Sequence, residues 1–464
     1  MFHRSKRIIP LILVFGIIVN IIFSYKNINK YDSYRERSDG VIENHMIRSD
    51  VLFGWKTAEQ IRQNLEEKKF FDAIPVNDRW FFPCILIGTY FYIIDEQIFE
   101  KDEINQGEKK IKKNNGKLGF LIFQIILFYL SLFYLGKKLK KKFNQKNIIV
   151  ILIILSFEPT ILQWHSSFWS ESIYISMFII LIGKLININQ KNFKNLFIGL
   201  LIGIMFAQRS ASFLLIIPVF LYYITCFKKE IKPYFFLFLG YFVFIGLIGV
   251  NHQIKTGKFF VLPYHSQLYS NYHYMLHEMI AKSENKSVEV ALEEKIMKEN
   301  NWMEENKINP NNFNDIFLII NYKNKEFFTE VLNNPIDSAV FLINKISQAA
   351  ILDPFWVKKN LFLDKSKEKY YLDFNKDIYL RIVYSLVFYL ICLVGLICLI
   401  YDYFKSKKEF KKYNFLFLNF LIISYFYLFA GGYGVSRYFV PTLVNFSFFF
   451  IIGLNFIFNR KEEC

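Results

Sequence analysis

Cysteine is scarce and scattered in this chain: Cys84, Cys226, Cys392, Cys398 and Cys464 are the only five in 464 residues. None forms a CxxC pair or a zinc-ligand spacing. Four lie in or beside apolar runs, so they read as small hydrophobes and say little about redox compartment. Acids are outnumbered, with 40 Asp and Glu against 57 Lys and Arg and a formal net charge of +17. A surplus of that size can point to nucleic acid, but its distribution argues against it. The basic clusters Lys137-Lys138-Leu139-Lys140-Lys141-Lys142, Lys228-Lys229 and 405–412 flank apolar runs. That is where cytoplasmic anchors sit when they set topology. There is no internal repeat. No small-x-small cleavage site follows the first apolar run, which is preceded by basic residues and followed by Tyr25-Lys26. It reads as a retained span with its N-terminus in the cytoplasm.

What the chain has in abundance is apolar sequence: 53% hydrophobic and 19% aromatic residues. These come in runs rather than in alternation. A run of about 17 or more can cross the roughly 30 Å of bilayer hydrocarbon. Open sheets cannot satisfy their backbone there, so the spans are expected to be helices. The expected fold is an all-α integral membrane protein with ten spans. They fall near 8–24, 118–136, 147–163, 171–188, 195–208, 212–227, 233–250, 378–401, 413–430 and 439–458. Both termini then lie in the cytoplasm. The segment 80–99 is aromatic, begins beside Pro83 and contains Asp95 and Glu96. If it crossed as an eleventh span, Lys137 to Lys146 would face outward, against the charge rule. It is therefore expected to be interfacial or re-entrant. Trp55, Ala58, Ile61 and Leu65 recur at helical spacing among charges, which predicts an amphipathic surface helix over 55–70. Three parts follow: a transmembrane module 1–250 with a first outer loop 25–117, a mostly helical extracytoplasmic cap 251–376, and closing spans 377–464.

Three polar pieces sit at the outer ends of spans: Ser49-Asp50, Ser170-Glu171 and Ser436-Arg437-Tyr438. Asp50 stands at the lipid–water boundary, where a carboxylate can act as general base toward a hydroxyl. Asp32, Asp39 and Glu43 share its loop and compete for the role, and any of them can equally be a solvated loop acid. Glu171 opens a long apolar helix, where capping and function are both open readings. His165 reads as a proton shuttle, a metal ligand or a plain interfacial residue. Arg209 and Arg437 lie on the face where anchoring lysines do not belong. A guanidinium fork suits phosphate, or pairs with an outer-loop acid. Gly431-Gly432-Tyr433-Gly434 would let backbone approach a ligand.

Taken in order, these pieces resemble a family. The signposts are Asp50 with Phe53 and Ala58, Pro83, Pro159 followed by Ser170-Glu171-Ser172-Ile173-Tyr174, and Arg209 before Pro218. Further along come Asn251 with Thr256-Gly257-Lys258-Phe259, Asn334-Pro335, and Ser436-Arg437-Tyr438-Phe439-Val440-Pro441. Each is short, but their order over nearly the whole chain resembles the multi-spanning GT-C glycosyltransferases. The likeness is to bacterial relatives of protein O-mannosyltransferases and aminoarabinose transferases. It implies transfer of a sugar from a polyprenyl-phosphate donor on the outer face of the cytoplasmic membrane. Asp50 would be the acid of the first outer loop and Glu171 that of the next. Arg437, Arg209 and Tyr438 would meet the lipid phosphate, with His165 and Lys258 toward substrate. The chain departs from the pattern in having Val51 where many members have a second acid, and Glu171 where many have Asp. The first departure leaves the choice among Asp32, Asp39 and Asp50 open.

The expected partners are that donor, a lipid, glycan or protein acceptor, and the bilayer itself, with no nucleic acid. No cofactor is required by the residues, and a divalent cation is an open reading. Two rivals remain. A polysaccharide polymerase of the O-antigen type would lean on outer-loop arginines more than on Asp50. A glycan flippase would show paired, Gly/Pro-broken spans in two similar halves, a symmetry not present here.

Overall fold

The computed structural model describes residues 2–31, 34–36, 42–44, 49–75, 81–98, 115–165, 171–186, 188, 191–228, 230–261, 272–309, 313–352, 374–405, 410–429 and 440–459. Helix α1 (Phe2–Tyr31) leads into a two-stranded antiparallel hairpin, β1 (Tyr34–Glu36) and β2 (Ile42–Asn44). The hairpin is an exception to the all-α expectation, and it falls in the polar first loop. Helices α2 (Ser49–Glu66) and α3 (Phe81–Ile93) follow, then α4 (Asn115–Leu139), α5 (Gln145–Phe157), α6 (Pro159–His165), α7 (Glu171–Leu185) and α8 (Asn192–Gln208). A 3-10 turn (Ser210–Leu215) precedes α9 (Ile216–Phe227) and α10 (Ile231–Thr256). Gly257 ends α10 at φ +75°, a left-handed turn that suits a residue without Cβ. A π turn (Tyr272–Leu276) opens the polar region of α11 (His277–Ser283), α12 (Val288–Glu305), α13 (Phe313–Asn333) and α14 (Pro335–Ala349). The chain closes with α15 (Phe374–Lys405), α16 (Phe410–Phe429) and α17 (Thr442–Asn459).

Every apolar run singled out in the sequence is helical. Among the described residues, four helices are long and apolar enough to cross a bilayer by themselves: Ile8–Tyr25, Gly116–Leu139, Ile231–Thr256 and Tyr379–Asp402. The protein is a helical membrane protein. Two boundaries differ from expectation. The run 147–163 is not one helix, because Glu158 and Pro159 divide α5 from α6. Proline has no N–H to continue the ladder and is favoured at the first helical position. The amphipathic helix begins at Ser49, six residues earlier than its apolar spacing suggested, so Asp50 lies in its first turn.

Glycines set how closely the helices cross. A Cβ on Gly199 of α8 would stand 2.0 Å from the Leu237 carbonyl oxygen of α10, and one on Gly240 2.2 Å from that of Leu196. Gly395 and Gly453 meet the backbone across α15 and α17 in the same way. In lipid, where apolar burial drives helices together little, such close approach is a main source of attraction. The contact pairs Leu196 with Gly240 and Gly203 with Phe244 ascend together, so α8 and α10 run parallel.

The first loop is tied to the same end of the bundle as the C-terminus of α10. Asn251 Nδ2 donates to the Pro75 carbonyl (3.1 Å) and Lys255 Nζ to that of Ile74 (2.5 Å). Phe81, at the start of α3, contacts His252, and past its other end the Gly116 N–H donates to Glu96. An apolar cluster joins Ala58 and Ile61 of α2, Cys84, Ile87 and Phe91 of α3, Phe120 of α4 and Ile173 of α7.

In the polar region, Lys295 and Lys323 converge on Tyr272, and Glu299 pairs with Lys323 at 2.6 Å. Burial pushes Lys295 down to about 8 from 10.5. Below pH 8 its charge is carried in both states and its full cost is felt. Between 8 and 10.5 the unfolded chain holds a proton that the folded chain lacks, so stability rises with pH. Hydrogen exchange of α12 should therefore slow from pH 7.5 to 9.5 after correction for intrinsic rates. Lys295→Met should be better protected at pH 7 and flatter across the window; an unchanged slope counts against the assignment. For the crossing, Gly199→Ala or Gly240→Ala should destabilise the bundle by about 1–3 kcal/mol. Gly246→Ala, whose Cβ meets nothing within 4 Å, should be neutral or mildly stabilising. Denaturation in mixed micelles reads both.

Candidate active site

The chain's chemistry gathers where α6, α7 and α8 end or begin. Glu171 is the first residue of α7, and its side chain is 2% exposed. Arg209 follows α8 in extended backbone, at φ −152°. Its Nη1 donates to Glu171 Oε1 at 2.5 Å. Removing two charges from water costs several kcal/mol each, so neither would be stable here without the other. The pair accounts for an arginine on this end of the bundle, one of the two origins the sequence left open.

A hydroxyl layer supports the pair. The Arg209 guanidinium lies 5.9 Å from the centre of the Tyr174 ring. Ser212 Oγ, in the turn that Arg209 opens, donates to the Tyr174 hydroxyl at 2.6 Å. One turn of α7 thus carries Glu171 and Tyr174 on one face, while α8 and its turn supply Arg209 and Ser212. The arrangement suits orientation of the Arg209 guanidinium by Glu171.

His165 is fully buried at the end of α6. Its Nδ1 lies 2.7 Å from Ser172 Oγ, and its ring packs on Phe128 at 4.1 Å. Its Nε2 has no hydrogen-bond partner among the described residues, nor has the side chain of Gln124, one turn before Phe128 and also fully buried. Buried polar atoms without partners are uncommon and mark places where water or a ligand fits. No group of three or more His, Cys, Asp or Glu that could hold a metal ion occurs among the described residues. Lys258 is exposed beyond α10, with its ammonium 5.2 Å from the Phe317 ring of α13. Asp32, Asp39, Arg437, Tyr438 and the glycines 431–434 lie outside the described residues. Asp50 is described in its backbone alone.

Sequence reasoning missed Glu158. It is buried, takes Thr160 Oγ1 and the Ile161 N–H at 3.0 Å each, and so caps α6. Tyr384 and Tyr389 of α15 lie within its electrostatic range. The signal was present: an acid directly before proline, inside an apolar run, is a helix start. Gln124 had a signal too, as an amide in the middle of an apolar span.

No family model and no curated protein matches this chain. Among solved structures it overlays the archaeal oligosaccharyltransferase AglB from Archaeoglobus fulgidus in complex with an inhibitory peptide and a dolichol-phosphate. The TM-score is 0.47 and the identity 11%, over 97% of this chain and 50% of that one. The apo form of the A. fulgidus oligosaccharyltransferase gives 0.46 and 10%, over 97% and 51%. The chain therefore spans about half the length of the structures it overlays. Overlap at this level is no basis for assigning an activity.

The ion pair makes a direct prediction. Glu171→Gln strands a buried guanidinium and should cost about 3–5 kcal/mol of stability. Replacing both partners with apolar residues, Glu171→Leu with Arg209→Met, should recover most of that loss. Thermal unfolding in detergent of the two single variants and the double one gives the coupling. Additive losses would mean that the two side chains do not stabilise one another.

Proposed function

We propose that the chain is a glycosyltransferase of the cytoplasmic membrane. It takes a sugar from a polyprenyl-phosphate donor at the extracytoplasmic face and passes it to a lipid, glycan or protein acceptor. One observation carries this reading beyond the sequence motifs. The apolar cluster that contains Ala58 and Ile61 of α2 also contains Ile173, two residues from Glu171. Helix α2, in whose first turn Asp50 lies, and the start of α7 thus contribute to one apolar cluster, and Arg209 is bonded to Glu171. In the proposed site these elements carry Asp50, Glu171 and Arg209 to one end of the bundle.

In the proposed reaction the acceptor hydroxyl attacks the anomeric carbon as the bond from that carbon to the phosphate oxygen breaks. Asp50 takes the hydroxyl proton. The phosphate keeps the electron pair of the broken bond, and Arg437 with Arg209 stabilises it. A well-placed donor of this kind is worth roughly 3 kcal/mol of transition-state stabilisation. Glu171 is a positioning residue: it holds Arg209 and so fixes the direction of its donors. Tyr438 and Lys258 stand as further contacts for donor or acceptor. A divalent cation bridging the phosphate is compatible with this scheme, and chelator in the assay tests it.

The proposed orientation puts Lys141 in the cytoplasm and Ser283 outside. Single cysteines at 141 and 283, probed with an impermeant label on intact cells, should react at 283 alone. The chemical test is transfer from a synthetic polyprenyl-phosphate sugar in liposomes. Asp50→Asn should lower turnover by about 10²–10⁴, the range for loss of a general base, with folding intact. Arg437→Lys, which keeps charge but loses the planar fork, should slow transfer, and Arg437→Ala should abolish it. Full activity in Asp50→Asn with loss in Asp39→Asn or Asp32→Asn would move the base. Dependence on the arginines alone would favour a polymerase.

A further inference from the structure

At the opposite end of the bundle from the Glu171–Arg209 pair, three lysines from three helices surround one small cavity. Lys138 comes from the last turn of α4, Lys184 from the last turn of α7 and Lys194 from the first turn of α8. Tyr134, Gly183, Ile188, Asn195 and Ile198 complete its lining. Its volume is about 50 Å³, several times the ~10–15 Å³ that admits one water. Lys138 and Lys184 both lie over the Tyr134 ring, at 5.1 and 5.8 Å from its centre. Gly183 makes this convergence possible, since a Cβ there would meet Tyr134 Cε1 at 2.6 Å. The Tyr134 hydroxyl is buried without a hydrogen-bond partner among the described residues.

No carboxylate stands among the described residues that line this cavity. The sequence has no Asp or Glu between Glu108 and Glu158, nor between Glu171 and Glu230. Those two stretches include the whole of α4, α7 and α8 apart from Glu171 itself at the far end of α7. Two of the lysines sit at helix C-termini, where the backbone dipole favours them. Lys194 does not: it stands in the first turn of α8, a turn without an acid and with no side-chain cap at Lys191. There the dipole opposes a cation and favours an anion. A general surplus of inner-face lysines would fix orientation without bringing three of them around one void. Ammonium groups gathered on one aromatic ring, with a buried hydroxyl beside them, repel one another unless an anion lies between.

We propose that this cavity, between the inner ends of α4, α7 and α8, binds a phosphate group. The lysines would neutralise it, and the Tyr134 hydroxyl would donate to one of its oxygens. The same chemistry is supplied by the phosphate of an anionic phospholipid and by soluble phosphate or diphosphate. The proposal does not depend on the proposed transferase activity.

The test uses the full chain purified in a neutral detergent. Binding is read by native mass spectrometry and by thermal shift, with phosphatidylglycerol, phosphatidylcholine, inorganic phosphate and diphosphate as separate probes. Wild type should retain one phosphatidylglycerol, or one soluble phosphate species, in preference to phosphatidylcholine. The Lys138→Gln, Lys184→Gln, Lys194→Gln triple variant should bind the preferred probe roughly 10–100-fold more weakly, on the usual worth of a basic side chain near an anionic headgroup. Tyr134→Phe should weaken it several-fold while leaving fold and charge intact. The control triple Lys140→Gln, Lys141→Gln, Lys146→Gln removes equal charge from exposed positions outside the cavity. Its binding should match wild type. Equal loss in the control would show attraction by net charge alone and overturn the site. So would wild-type binding in the cavity variant, or no preference of wild type for any anionic probe. If the cavity triple fails to fold, Tyr134→Phe decides: unchanged binding there refutes the site.

Discussion

Hydrocarbon offers no hydrogen bonds, so every polar group at membrane depth must be answered within the protein. That constraint organises the bundle. The Asn20 amide donates to the Tyr129 hydroxyl at 2.6 Å, and Tyr129 in turn donates to the Ser156 carbonyl at 3.0 Å. This chain links α1, α4 and α5. Asn445 and Asn419, both fully buried, bind each other at 2.6 Å and join α17 to α16. Tyr223 does the same with Asn195 between α9 and α8. The Glu171–Arg209 pair is the charged case of the rule. Its two halves arrive from separate helices, and each makes the other tolerable.

The rest of the packing follows from geometry rather than polarity. Lipid tails are as apolar as leucine, so burying leucine against leucine gains little in a bilayer. What remains is close contact, and the glycine crossings of α8 with α10 and α15 with α17 supply it. The outer surfaces keep their apolar residues. Leu11 and Phe15 of α1 are 65% and 60% exposed, and Leu390 of α15 is 57% exposed. Such values would be a liability in water and are ordinary against lipid. The polar region between α10 and α15 obeys the opposite rule. Its helices are amphipathic, and its small core around Tyr272, Met275, Phe327 and Phe341 is built as a water-soluble protein would build it.

The two ends of the bundle differ in how charge is handled. At one end an acid and an arginine are matched in a buried pair beside hydroxyls, and two polar groups without partners among the described residues, His165 Nε2 and Gln124, lie nearby in α6 and α4. At the other end lysines of α4, α7 and α8 line a cavity that has no carboxylate among its described lining residues. A paired site can hold donors in fixed directions, which suits recognition and transition-state stabilisation. An unpaired cluster depends on what the membrane or the solution provides.

The sequence by itself determined the helices, because a run of apolar residues in lipid has only one way to satisfy its backbone. Proline likewise ends a hydrogen-bond ladder locally, and α13 and α14 divide at Asn334-Pro335. The same local logic, applied to Glu158-Pro159, would have split the run 147–163. It would also have started α2 at Ser49, where a capping residue and an acid precede the first apolar position. The candidate site was legible only in part. Glu171 and Arg209 stood out as charges at span ends, and His165 as a lone imidazole. Their bonding was not legible, because 38 positions separate Glu171 from Arg209 and no local spacing encodes which helices become neighbours. Only the tertiary structure decided that Arg209 meets Glu171, that His165 turns to Ser172 and Phe128, and that Lys138, Lys184 and Lys194 face one cavity. Composition and periodicity act within one helix. Pairing of buried charge is settled by which helices cross, and that depends on glycines and volumes spread over the whole chain.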